Sequence, residues 1–186
     1  HEFAPTEGAF TELSVRGAHP WLGSTWTFWG MNFTDRHYWT LGNRDLVLAT
    51  RAAVDLQRGD IPFFHQNVMG GSQWVDIGGP IAMRGLSIGR YRGDTTIYGD
   101  GELRWGHSLR RQSFRLFVVS FFSGARIIQP GELDPGPHIH GGVGGGLRLL
   151  YNEVFLARLD IAAGREEYGD PANPLGSEIM DRGWVP

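Results

Sequence analysis

The pattern along this chain is alternation with period two. From Ile97 to Gly106 the odd positions, Ile97, Gly99, Gly101, Leu103 and Trp105, are apolar or small, while Tyr98, Asp100, Glu102 and Arg104 occupy the even ones. Leu46 to Leu56 splits likewise, with Leu46, Leu48, Ala52, Val54 and Leu56 opposing Arg51 and Asp55. Glu153 to Ala163 sets Phe155, Ala157, Leu159 and Ile161 against Arg158 and Asp160. Each reads as a β-strand with one greasy face and one ionic face.

Gly141 to Tyr151 has the same period with a different second face. Val143, Leu147, Leu149 and Tyr151 point one way, and Gly142, Gly144, Gly146 and Arg148 the other. A face of glycine leaves room for something to lie against it. Ala9 to Gly17, Thr25 to Trp39 and Ser113 to Ala125 are less regular strands, the last apolar on both faces around Phe117 to Phe122. Ser177 to Val185 is a weaker eighth candidate, with Asp181 on the face that should be apolar. The expectation is therefore all-β: a small antiparallel transmembrane β-barrel of eight strands in a single domain spanning 1–186. One long inserted or capping loop, about 60–96, carries no convincing strand.

Alternation alone does not say which face is wet, since a soluble lipocalin-like ligand-binding barrel would put its apolar face inside. Three features favour the inverted arrangement. The polar face mixes arginines with acids, as a paired interior would. Trp26, Trp29, Tyr38, Trp39, Trp105 and Tyr151 lie near strand ends, as interfacial girdles do. The cations of the polar face are arginines, where a solvated sheet would carry lysine.

Composition narrows the reading. The 28 glycines and 12% aromatic content fit strands and turns over a helical bundle. All 17 basic residues are arginine, the net charge is -3, and there is no cysteine. That balance gives no general attraction to nucleic acid, and it excludes disulfides and thiolate metal sites. No apolar run is long enough for a membrane helix.

The long loop contains "IAMRGLSIGRYRGD", residues 81–94, with three arginines, Arg84, Arg90 and Arg92. Here the chain resembles the BamA superfamily of outer-membrane β-barrels, the bacterial surface antigen family, in a short form expected to lack periplasmic domains. The family's hallmark is an arginine-glycine-aromatic tip on a loop that folds into the barrel; the matching tip is Arg84-Gly85-Leu86, followed by Arg90 and Arg92. Further matches follow in family order: the glycine pair Gly70-Gly71 or Gly78-Gly79, "GELRW" with Glu102 and Arg104, "GGGLRLL" with Gly146 and Arg148, and "ARLDIA" with Arg158 and Asp160. Two departures are Leu86 in place of the aromatic, and Phe122 where the family places the acidic partner of the loop arginine.

The resemblance implies a bacterial outer-membrane location, the lipid bilayer and unfolded outer-membrane proteins as partners, and a role in their insertion or transport. The alternative within the membrane is a passive structural barrel with a plugged lumen, or one that forms a homodimer. A guanidinium in a low-dielectric lumen must find carboxylates. With Phe122 unable to serve, parity offers Asp100, Glu102 and Asp160 to Arg84, with Arg104, Arg148 and Arg158 completing an ionic network. A closed eight-stranded barrel is only wide enough for its own side chains, so a whole loop is not expected deep inside: either the face of Gly142, Gly144 and Gly146 makes room for the tip, or the loop sits at the mouth, or the barrel stays open and is closed by a second chain.

Neither an enzyme nor a cofactor is expected. His138 and His140 have no third ligand fixed by spacing, so a polar loop end is the expectation over a metal site. His37, Ser120 and Ser123 lack any ordered hydrolase signature, and "GGVGGG" precedes no helix that could open a nucleotide loop.

Overall fold

The computed structural model describes residues 5–42, 45–66, 68–71, 75–76, 81–86, 88, 91–109, 114–128, 139–152 and 155–165. Seven strands form one antiparallel sheet in which each long strand pairs with the next in sequence: β1 (Gly8–Ala18), β2 (Phe28–Thr40), β3 (Leu46–Gly59), β6 (Thr95–Leu109), β7 (Phe114–Ile128), β8 (His140–Tyr151) and β9 (Phe155–Arg165). Between β3 and β6 the long loop carries a two-residue ribbon, β4 (Val68–Met69) against β5 (Val75–Asp76). All seven alternating segments of the sequence are strands. The eighth candidate, Ser177 to Val185, lies outside the described residues, and among those described no ladder joins β1 to β9.

The sheet is inverted relative to a water-soluble one. On the outer face Leu103, Leu147 and Leu159 are 39%, 48% and 64% exposed, whereas Glu102 on the inner face is 5% exposed. Asn32, Asp55 and Gln57 are buried on that inner face too. Such burial of polar groups costs several kcal/mol each unless they are paired, and their partners lie across the concave side. The sequence left β7 ambiguous. There Phe117, Val119 and Phe121 point inward, and Val118 and Phe122 point outward.

The ends of the sheet differ. At one end β2–β3, β6–β7 and β8–β9 are separated in sequence by five, four and three residues, and at the other β1–β2, β3–β6 and β7–β8 by nine, 35 and 11. Trp29, Trp39, Trp105 and Tyr151 are exposed near strand ends. Tyr38 departs from the expected girdle: it faces inward, where its ring lies 5.8 Å from the Arg104 guanidinium.

The described residues of the long loop lie against the concave face of the sheet, with the tip at the glycine face of β8. Ala82, Met83, Leu86 and Tyr91 from the loop pack with Met69 and with Ala53, Tyr98 and Ala125 of the sheet. Burying Met83 and Leu86 contributes about 1.5 to 3 kcal/mol each. Small side chains on the wall make the space, and the glycines of β8 and β9 make more.

Candidate functional site

The tip of the loop is a tight turn from Met83 to Leu86, closed by the Leu86 amide donating to the Met83 carbonyl at 3.2 Å. Met83 (φ 52°) and Gly85 (φ 97°) flank Arg84 in left-handed backbone. Such a conformation costs a residue like Met83 about 1 to 3 kcal/mol, which its burial offsets. Gly85 is required by contact as well as by φ, since a Cβ there would stand 2.7 Å from the Ala163 carbonyl carbon on β9.

Turned inward, Arg84 reaches two strands. Its Nη1 donates to Glu102 Oε2 at 2.8 Å and to Asp160 Oδ2 at 3.3 Å, and its guanidinium carbon lies 3.4 Å from the centre of the Phe121 ring. Glu102 is on β6 and Asp160 on β9. In a flat sheet those strands would be about 14 Å apart at the usual spacing, so a single nitrogen touching both requires a curled sheet. The cation, its stacking face and both anions are held in one contact set of low exposure.

Further arginines complete the cluster. Arg104 Nε donates to Glu102 Oε1 at 2.6 Å. Arg148 grips Glu102 with both terminal nitrogens, Nη2 to Oε2 at 2.7 Å and Nη1 to Oε1. Arg158 Nε donates to Asp160 Oδ2 at 2.6 Å.

The glycine face of β8 is what lets this assembly form. A Cβ on Gly142 would overlap the Arg84 carbonyl oxygen, one on Gly144 would stand 2.6 Å from the Phe121 ring, and one on Gly146 would overlap the Asp160 carboxylate. Each of the three alternate glycines thus accommodates one member of the Arg84 site. On β9, Gly164 does the same for the carbonyl of Gly85.

Asp100 is the correction to the set of partners expected for Arg84. It stands opposite Arg51 in the β3–β6 register and accepts from Arg51 Nε at 2.8 Å, so its charge is already engaged. Phe122, at the position of the family's acid, faces outward; Phe121 beside it turns in and supplies a ring. Arg92 is exposed, 5.5 Å from the Phe63 ring and apart from the cluster. Arg90, Gly78, Gly79 and His138 lie outside the described residues, while His140 is buried and packs against Tyr91, the rings tilted with centres 4.2 Å apart. No group of three metal-binding side chains occurs among the described residues.

A second ionic centre went unforeseen. Asp55 accepts from Arg16 Nη2 at 2.6 Å and Nη1 at 3.1 Å, from Asn32 Nδ2 at 3.1 Å and from the Gly70 amide at 2.8 Å. It ties β1 to β3 across β2 and anchors the glycine pair of the loop. Arg16 sits in an irregular strand, and nothing in its local pattern marked it as an inward cation.

An antiparallel sheet with its apolar face outside, its ions inside and a basic loop clamped to its inner wall fits the architecture of outer-membrane β-barrel proteins. The Omp85 superfamily domain model matches residues 1–173, nearly the whole chain, and the chain belongs to that superfamily. No curated protein matches it.

Proposed function

We propose that this chain is an outer-membrane β-barrel that assists the insertion of other β-barrel proteins, with the loop anchored to the inner wall through Arg84 while the strand edges engage the client. The carrying observation is the pairing of that clamp with free edges: β1 and β9 each have one strand neighbour among the described residues. An unpaired edge offers a row of amide and carbonyl groups to an incoming strand. The clamp joins β6 to β9 through Arg84, and Arg16 with Asp55 joins β1 to β3, so both edges are braced from within.

Membrane residence is supported by the exposed leucines and by the contrast of short and long connections at the two ends, a feature of outer-membrane barrels. It weighs against the soluble ligand-binding barrel, and the reading assigns no enzymatic step. The test is to reconstitute the protein into liposomes and time the folding of an unrelated eight-stranded barrel. Faster folding than in empty liposomes is expected, and an unchanged rate would remove the insertase reading.

The buried loop favours a second reading. Ala82 and Met83 are almost wholly enclosed, so the loop fills the concave side like a plug. A passive barrel, closed by a second copy along its edges, would show that feature with no acceleration of client folding.

A further inference from the structure

Beside the Arg84 clamp lies a cavity of about 250 Å³ on the inner side of the sheet. Six guanidinium groups line it, those of Arg36, Arg51, Arg84, Arg104, Arg148 and Arg158, with only Asp100 and Glu102 as lining carboxylates. Counting also Asp160, which binds Arg84 and Arg158, and Glu12, which lines the small adjoining cavity with Arg36, leaves six cations against four anions. The excess is local, since the chain as a whole carries -3.

Arg36 is the informative member. Every other arginine of the lining has a carboxylate partner, whereas Arg36 has none among the described residues. Its guanidinium lies 5.7 Å from the Phe10 ring, and its buried Nε has no hydrogen-bond partner. Arg36 is half-buried, and a guanidinium there without an anion keeps a charge it cannot shed and remains open to a further anionic partner. The geometry points to a binding site for a multiply charged oxyanion of the phosphate class, held by Arg36 within the positive surroundings that the other five arginines supply. Planar guanidinium forks match tetrahedral oxyanions in bidentate fashion, and the cavity has room for a small anion with its waters. The site is independent of any insertase activity, as it rests on the inner wall alone.

The probe is inorganic pyrophosphate, titrated calorimetrically into the detergent-solubilised protein at fixed ionic strength. Saturable binding is expected, and it should weaken about tenfold in Arg36→Gln, the loss of one charge-assisted contact. Arg92→Gln, exposed and outside the cavity, should bind as the parent does. Ile81→Glu is the second variant: Ile81 is exposed and lines the cavity, so a carboxylate there should halve the excess charge and weaken binding without disturbing the fold. Short-chain phosphatidic acid, added as a competitor, separates the sources. Displacement of pyrophosphate assigns the phosphate to a lipid headgroup, and lack of displacement assigns it to a free solute; both support the site. Absence of saturable binding, or parental affinity in both Arg36→Gln and Ile81→Glu, overturns it.

Discussion

Gly142 on β8 lies directly beneath the carbonyl oxygen of Arg84, so closely that a β-carbon at 142 would overlap it. The loop tip and the wall therefore fit through backbone, where no rotamer change can relieve a clash. Gly142→Ala should lift the tip at a cost of about 1 to 3 kcal/mol. Proteolysis of the 60–94 loop should accelerate while the strands stay protected. Gly124→Ala is the matched control, since its nearest neighbours would be at 3.8 Å, an ordinary contact.

Arg84→Ala should release the loop more than the sheet. Glu102 would retain Arg104 and Arg148, and Asp160 would retain Arg158, so neither carboxylate is orphaned. Amide exchange should rise at Ala82 and Leu86 and change little in β6. Equal exchange gains in the loop and in β6 would show that Arg84 supports the wall itself.

Glu102→Gln should be the more damaging change. Three guanidiniums converge on that carboxylate, and removing one partner from a buried ionic set costs about 3 to 5 kcal/mol. The urea midpoint of the detergent-folded protein should fall well below that of Arg84→Ala. Comparable midpoints would mean that the arginines find other acceptors.

Asp55→Ala should free β1. Its carboxylate is the inward tie between β1 and β3, and it also holds the Gly70 amide. The change leaves Arg16 without that partner, again at about 3 to 5 kcal/mol. A cross-link between engineered cysteines at Val15 and Met31, a β1–β2 register pair, should form less efficiently in the variant.

Much of this arrangement was legible from parity. Where a strand alternates cleanly, as from Ile97 to Gly106, the inner face followed, and the family resemblance, which implies a loop folded inward, then brought Arg84 to Glu102 and Asp160. Register was not legible. Asp100 and Glu102 share a face, and only the rung that sets Arg51 opposite Asp100 decides which of them is free for the loop. Phe121 was hidden because β7 is apolar on both sides, so nothing local says which phenylalanine turns inward. Gly142, Gly144 and Gly146 announced space, but not that three parts of one site would fill it. Arg16 and Asp55 are 39 residues apart and meet only because β1 to β3 curl together.

The inverted sheet makes a prediction that separates lipid from water. Leu147 and Leu159 are register partners on β8 and β9, both exposed on the outer face. In water, an arginine at either position would be nearly neutral or would improve solubility. In a bilayer the same change places a charge among acyl chains, at about 2 to 4 kcal/mol near the midplane. Leu159→Arg should therefore lower the yield of folded protein in liposomes while leaving stability in zwitterionic detergent micelles much less affected, because a micelle deforms around the charge. Chemical unfolding in both media measures the difference. A variant equally stable in liposomes and micelles would place the outer face in contact with water.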